Sequence, residues 1–327
     1  MALAPDRTSA HFGRLMTLQS QNLLTSQDPI QALLDTPADA ALTVIAGVEG
    51  PSYRPVGAMM TVSQNGERTG TLSSGCIESD ISLHAQDVLR SDVPKVLRYG
   101  RGSPFVDIQL PCGGGLDILI VPRPDRAILA EVLKNREGRT PCTLTIDLKT
   151  AAMAVQREGQ TQRVDDILSI RFEPEIKFLV FGKGPEATTF ASLVQAAGYP
   201  NLLLSPDPET LAFGKAAGCG VQLLSSRSFP ADLVVDDRTG IVLFFHDHDW
   251  EPPLLAGALG TNAFYIGAQG SQRARDARLA ELRLMGMAEH QLSRLTGPVG
   301  LIPSARDPGT LAVSVLAEVL AVAKAPG

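Results

Sequence analysis

Cysteine is scarce. The four residues, Cys76, Cys112, Cys142 and Cys219, are widely spaced and form no CxxC pair. That pattern argues against a structural zinc site and against a disulfide framework. Runs of basic residues are also lacking, and the net charge is -6, so neither nucleic acid nor an anionic membrane is an expected partner. The longest apolar run, Leu311–Ala323, is broken by Ser314 and Glu318 and is too short to span a bilayer. The opening residues Met1-Ala-Leu-Ala-Pro-Asp-Arg7 lack an apolar h-region, so no signal peptide is expected. These absences predict a soluble, cytoplasmic protein. No Walker-type loop is present, no Ser–His–Asp arrangement can be assigned, and there is no internal repeat.

What is present suffices for well-formed cores. Hydrophobic residues make up 44% of the 327 residues and charged residues 20%, which excludes a disordered chain and suggests two domains. The boundary is expected near Phe172-Glu-Pro174, giving domains at 1–173 and 174–327.

The first domain reads as α+β. After a polar leader, a helix is expected around Pro29–Leu34, then strands at Ala41–Ala46 and 58–63 with a hairpin turn at Asn65-Gly66. Ile77, Ile81, His84, Ala85 and Val88 recur at helical spacing. Strands are expected at Lys95–Tyr99, Val106–Leu110, Leu116–Val121, 142–148, 151–156 and 167–172, and a helix at Asp125–Asn135. The second domain alternates strands (Ile176–Phe181, Asn201–Ser205, Val221–Leu224, Gly240–Phe245, Ala263–Gly267) with helices (from Ala187 to a stop at Gly198, then 208–217, 252–259, 272–285 and 308–323). That alternation predicts a Rossmann-like, doubly wound parallel sheet.

Two stretches gather small residues around a thiol: Thr71-Leu-Ser-Ser-Gly-Cys-Ile-Glu78 and Leu110-Pro-Cys-Gly-Gly-Gly115. Glycine lets a ligand approach the backbone and its N–H groups. Ser73, Ser74, Gly75 and Cys76 precede a helix start, where free N–H groups attract anions and can lower a thiol pKa. Cys112 is similar, with Gly113 and Gly114 beyond it. The two stretches are expected to meet at one end of a sheet and hold a small anionic ligand near a thiol. Buried, unreactive cysteine is the competing reading, and it is the one adopted for Cys142 and Cys219.

In the second domain, Gly182-x-Gly184-x-x-Ala187 follows a strand and opens a helix, the context of a dinucleotide fingerprint. The carboxylate such a site wants at the end of the second strand is missing, because Asp207 in Ser205-Pro-Asp207 comes about two residues late. His246-Asp-His-Asp249 follows the fourth strand and could ligate a metal or only cap a helix. Gly267-Ala-Gln-Gly270-Ser271 precedes an Arg-rich helix and could bind phosphate, although Arg275 and Arg278 read equally well as a solvated basic face.

Together these residues resemble the XdhC/CoxI family of xanthine dehydrogenase accessory proteins. The resemblance rests on Gly50-x-Ser52-Tyr-Arg54-x-x-Gly57-Ala-Met, Gly70–Glu78, Arg98-Tyr-Gly100 and Leu110-Pro-Cys-Gly-Gly114. In the second half it rests on Phe181-Gly-x-Gly184, His246-Asp-His248, Tyr265–Ser271 and Gly300–Pro308. It implies a chaperone rather than a catalyst. Such a protein binds molybdenum cofactor (molybdopterin), protects it, assists its sulfuration and delivers it to a xanthine dehydrogenase-type molybdoenzyme. A homodimer and a cysteine desulfurase partner go with that reading. Cys76 and Cys112 would contact the cofactor, Cys76 as the candidate molybdenum ligand, and Glu78 and Arg54 would organise the site. The family usually has a glycine where Ser74 stands, an acid nearer the strand end than Asp207, and Ile-Gly where Pro303-Ser304 stands. The alternatives are an NAD(P)-binding oxidoreductase using the Gly182 loop and a sulfur carrier with a persulfide on Cys76.

Overall fold

The computed structural model describes residues 28–37, 39–73, 75, 77–103, 110, 113–245 and 249–324. The chain divides into two units, the first ending at Pro174 and the second beginning at Glu175. Most of the expected strand at Val106–Leu110 and the polar leader lie outside the described residues.

In the first unit, helix α1 (Pro29–Asp35) starts at Asp28, whose carboxylate accepts from the N–H groups of Ile30 and Gln31. A five-stranded antiparallel sheet follows: β1 (Ala40–Glu49), β2 (Met59–Ser63), β3 (Arg68–Gly70), β4 (Lys95–Gly100) and β5 (Gly115–Pro122), in the order β3-β2-β1-β5-β4. The turn after β2 is closed by the Gly66 N–H on the Ser63 carbonyl (2.9 Å), with Gly66 at φ +85°. β1 lies in the middle of the sheet, so both of its faces are buried, and successive residues point to opposite sides. Ala41 and Ile45 join Ile81, Ala85 and Val88 of helix α2 (Glu78–Ser91). Leu42 and Val44 join α1, helix α3 (Arg126–Glu137) and a second antiparallel sheet. That sheet comprises β6 (Cys142–Asp147), β7 (Met153–Gln156), β8 (Gln162–Val164) and β9 (Ile167–Phe172), in the order β7-β6-β9-β8. Each buried Leu or Ile here stabilises the fold by about 1.5–3 kcal/mol relative to leaving it exposed.

In the second unit a six-stranded parallel sheet is built from β10 (Lys177–Gly182), β11 (Asn201–Ser205), β12 (Gly220–Leu223), β13 (Thr239–Phe244), β14 (Tyr265–Ala268) and β15 (Leu295–Thr296). Its order, β12-β11-β10-β13-β14-β15, is the Rossmann pattern of two halves wound outward from the first strand. The helices are α4 (Pro185–Ala196), α5 (Pro208–Ala216), α6 (Glu251–Leu259), α7 (Gln272–Leu284), α8 (Glu289–Leu292) and α9 (Pro308–Lys324). α9 buries Leu311, Val315 and Val319 in the cluster that holds Phe190 and Val194 of α4. Its apolarity is therefore met largely within the unit.

Candidate functional site

Strand register brings three loops of the first unit to one edge of its five-stranded sheet. Glu49, at the end of β1, and Gly100, at the end of β4, both lie opposite Gly115, at the start of β5. On the other side Met59 at the start of β2 lies opposite Val44, and Gly70 at the end of β3 lies opposite Met60. The chain therefore leaves the sheet after Glu49, Gly70 and Gly100 at one edge, and re-enters it there at Met59 and Gly115. The approach is close enough to require glycine at two places. A Cβ on Gly114 would stand 2.1 Å from the Pro51 carbonyl oxygen, and one on Gly100 (φ +70°) 2.2 Å from the Gly114 oxygen. Leu72, Ile77 and Leu110, one or two from each cysteine-bearing segment, are buried in one cluster with Val48, Val56 and Ala58.

Glu78 organises the first of these loops. It is 5% exposed, yet its carboxylate is saturated with donors. Oε1 accepts from the Thr71 hydroxyl (2.7 Å) and from the N–H groups of Leu72 (3.0 Å) and Ser73 (2.7 Å). Oε2 accepts from the Ser73 hydroxyl (2.8 Å) and from the N–H groups of Gly75 (2.9 Å) and Ile77 (3.2 Å). Burial alone would raise its pKa, but these bonds outweigh burial and lower it from 4.5 to about 2. The N–H groups expected to face an exogenous anion are thus held by the chain's own carboxylate at the start of α2. One turn on, Asp80 Oδ2 accepts from the buried Tyr99 hydroxyl (2.6 Å) and lies 3.6 Å from His84 Nε2. Burial and then Asp80 push the Tyr99 pKa upward.

Beside the third loop three guanidiniums share two carboxylates. Arg98 binds Glu49 and also Asp117 (3.2 Å), Arg163 reaches Asp117 (3.4 Å), and Arg101 reaches Glu49 (3.6 Å). Arg54 is exposed in the first loop, where the Ser52 hydroxyl donates to its carbonyl (2.7 Å). The expected site residues Ser73, Gly75, Glu78, Gly113, Gly114 and Arg54 therefore all belong to this edge. Gly75 (φ +104°) and Gly113 (φ +69°) have open space where a Cβ would stand. Ser74, Cys76 and Cys112 lie outside the described residues. Cys142 and Cys219 are buried, and burial pushes both thiols up, in keeping with structural roles.

The expected residues of the second unit flank the carboxyl edge of its sheet. Gly182 is needed for packing: a Cβ there would meet the Phe244 oxygen at 2.5 Å and Ala187 Cβ at 2.8 Å. Gly184 (φ +85°) lines a cleft of about 340 Å³ with Thr188, Asp207, Thr210 and Phe213. Asp207 comes late in the sequence yet reaches this cleft as the N-cap of α5. Hydrogen bonds from Thr210 hold its carboxyl below the usual range. The Gly184 N–H donates to the Thr210 hydroxyl (3.0 Å), Pro185 has no N–H, and Glu186 adds a carboxylate to the first turn of α4. A pyrophosphate would find few donors there and one repelling charge.

Gly267 lies inside β14, where Tyr265 and Val299 take up the room of a Cβ. Ser271 caps α7 by accepting from the Ala274 N–H (3.2 Å). The reading of Arg278 as a solvated helix face is corrected. It is 4% exposed, pairs with buried Glu251 at 2.8 Å, and donates to the carbonyl of Gln269, next to Gly270. His246 lies outside the described residues, and among those described no group of His, Cys, Asp and Glu could hold a metal ion. No helix among them is long and apolar enough to cross a membrane.

The comparisons agree across both units. Residues 33–100 match the family described as "XdhC and CoxI family", and residues 178–319 match "XdhC Rossmann domain". The "Molybdenum cofactor insertion chaperone PaoD" of Escherichia coli (strain K12) is 32% identical over 284 residues, covering 86% of this chain and 83% of that protein. A Bacillus subtilis (strain 168) protein described as a probable xanthine dehydrogenase component is 25% identical over 333 residues, covering 90% of this chain and 96% of that one. A Bacillus halodurans crystal structure, described as a xanthine dehydrogenase, superposes with a TM-score of 0.75 at 21% identity, over 90% of this chain and 94% of that one. That likeness concerns the fold. With an antiparallel first unit, a Rossmann second unit and a relative this similar over most of both lengths, the chain belongs to the XdhC and CoxI family.

Proposed function

We propose that this protein binds molybdenum cofactor as cargo at the loop edge of its first unit, shields it while its terminal sulfur is installed, and passes it to a xanthine dehydrogenase-type molybdenum hydroxylase. The observation that carries the reading is that the strands flanking the loops at 50–58, 71–77 and 101–114 end or begin at one sheet edge. Two of those loops hold the sequence positions of Cys76 and Cys112. The chemistry suits the cargo. A thiolate is a soft donor for a metal. Gly75 and Gly113, with open space above their backbones, leave room for a bulky ligand. The name of the Escherichia coli relative supports the same reading. A homodimer and a cysteine desulfurase partner belong to the proposal, as does a role as carrier rather than catalyst.

The nicotinamide alternative has one observation for it, Asp207 lining the Gly184 cleft, and two against it, Pro185 and Glu186 in the first turn of α4. The deciding experiment is to express the protein in a host that makes molybdopterin, oxidise the purified sample and quantify the fluorescent pterin. Wild type should retain pterin, and Cys76→Ala or Cys112→Ala should lose most of it. A wild-type protein free of pterin, from a host shown to make it, would overturn the proposal.

A further inference from the structure

Arg101 occupies an unusual position at the loop edge. It stands between two glycines in the left-handed region, Gly100 (φ +70°) and Gly102 (φ +76°). Its N–H donates to the Gly114 carbonyl (3.0 Å), and its own carbonyl accepts from Arg98 Nε (2.8 Å). The main chain is thus tied on both sides, and Gly114 lies two residues from the sequence position of Cys112. The side chain is 62% exposed, and among the described residues its ion pair is the 3.6 Å contact to Glu49. Glu49 is already bound by Arg98, which is only 23% exposed and also pairs with Asp117. Asp117 in turn serves Arg163. Among the described residues, three guanidiniums on two carboxylates leave this network with one positive charge in excess. The excess falls on its most exposed and most loosely paired member.

We infer that Arg101 anchors the phosphate of the pterin carried at this edge; the inference rests on the proposed cargo. Molybdopterin bears a terminal phosphate, and a guanidinium meets phosphate oxygens with two parallel N–H bonds. The backbone donors of the neighbouring loop do not compete for that phosphate, because Glu78 holds those of Leu72, Ser73, Gly75 and Ile77. With those described donors taken, a side chain is the better-placed partner for the phosphate. Arg101 can turn from a shared, solvent-screened carboxylate to a dianion at little cost, since exposed ion pairs are weak. Glu49 acts as a brake, holding the guanidinium when no phosphate is present.

The test uses cofactor-free full-length protein titrated with a 6-substituted pterin carrying a terminal phosphate, and with the same pterin after phosphatase treatment, both followed by pterin fluorescence. Wild type should prefer the phosphorylated probe by at least about tenfold, the usual size of a charge-assisted hydrogen bond. Arg101→Ala should bind the two probes alike, Arg101→Lys should keep part of the preference, and Glu49→Gln should increase it. A purely structural role for Arg101 would change both affinities together and leave their ratio unmoved. The inference is overturned if Arg101→Ala keeps the wild-type ratio, or if wild type binds both probes equally or neither. In each of those cases pterin retention from the host still decides the proposed function separately.

Discussion

Replacing Glu78 with Gln keeps the shape of the side chain and removes its charge. One of its two acceptor oxygens becomes an NH2 facing the Ser73 hydroxyl and the N–H groups of Gly75 and Ile77, or those of Thr71, Leu72 and Ser73 if the amide turns over. The lowering of the wild-type pKa from 4.5 to about 2 sets the scale. It corresponds to roughly 3 kcal/mol of folded-state preference for the carboxylate. For a unit of this size that is a melting point lower by about 6–12 °C. The sign follows from the direction of the shift. A depressed carboxyl pKa stabilises fully above its unfolded value of 4.5, and the contribution is lost as pH falls from there toward 2. The difference in urea-unfolding free energy between wild type and Glu78→Gln should therefore be constant from pH 7 to about pH 5.5 and narrow steadily below about pH 4.5. Other carboxyls titrate in the same window, but they are common to both proteins and cancel. A gap under about 1 kcal/mol at pH 7, or a gap of the same size at pH 7 and pH 3, would refute the idea that this carboxylate holds the loop together, since net hydrogen bonds to charged groups run about 1.5–3 kcal/mol.

Two further outcomes concern the second unit. Glu251→Gln strands the Arg278 guanidinium, which is 4% exposed, and should destabilise by about 3–5 kcal/mol, read as a lower urea midpoint. Replacing both partners, as in Glu251→Leu with Arg278→Met, should recover most of that loss. Ser304 adopts φ +56°, a left-handed conformation that favours glycine. Ser304→Gly should raise stability by up to about 1 kcal/mol, the relief of αL strain less glycine's extra chain entropy, seen as a small rise in melting temperature.

Much of the fold was legible because the elements that matter are long and buried. The strands of the second unit are nearly continuous apolar runs bounded by glycine, and their expected limits lie within about two residues of those observed. Asn201–Ser205 agrees at both ends. Helices α4 and α5 each open with Pro after the cap residues Gly184 and Asp207, signals that the sequence reading did not use. What was not legible is short or polar. β8 is three exposed residues and β15 only two, so neither carries a periodic signal, and both form because a neighbour offers an open edge. Arg278 was misjudged for a different reason. Its partner Glu251 is 27 residues earlier, on another helix, and no local pattern announces a buried pair across that span.

The site shows the same division. That the cysteine-bearing loops share an edge follows from strand order, which hairpin signals and strand spacing imply. The role of Glu78 was only half visible. It was expected as a site organiser, but not as the occupant of the N–H nest. A sequence signal existed: an acid at the first residue of a helix, separated by two residues from a run of Ser, Ser and Gly, is placed to fold back onto that run. The second unit repeats the motif in weaker form. Glu186 enters the first turn of α4 directly after Gly184-Pro185, with Oε2 3.9 Å from where a Cβ on Gly184 would stand. At the first glycine-rich turn the chain's own carboxylate takes the described N–H groups; at the second the Gly184 N–H goes to Thr210, with a carboxylate close by. Backbone recognition of a ligand's anionic end is thereby reduced in each unit. On the inference above, recognition would pass to side chains that can move, and at the edge of the first unit that side chain would be Arg101. A carrier that must release its cargo gains from this. A flexible, salt-screened contact lets go more readily than a rigid nest of amides, so such a ligand would be freed without the loop having to unfold.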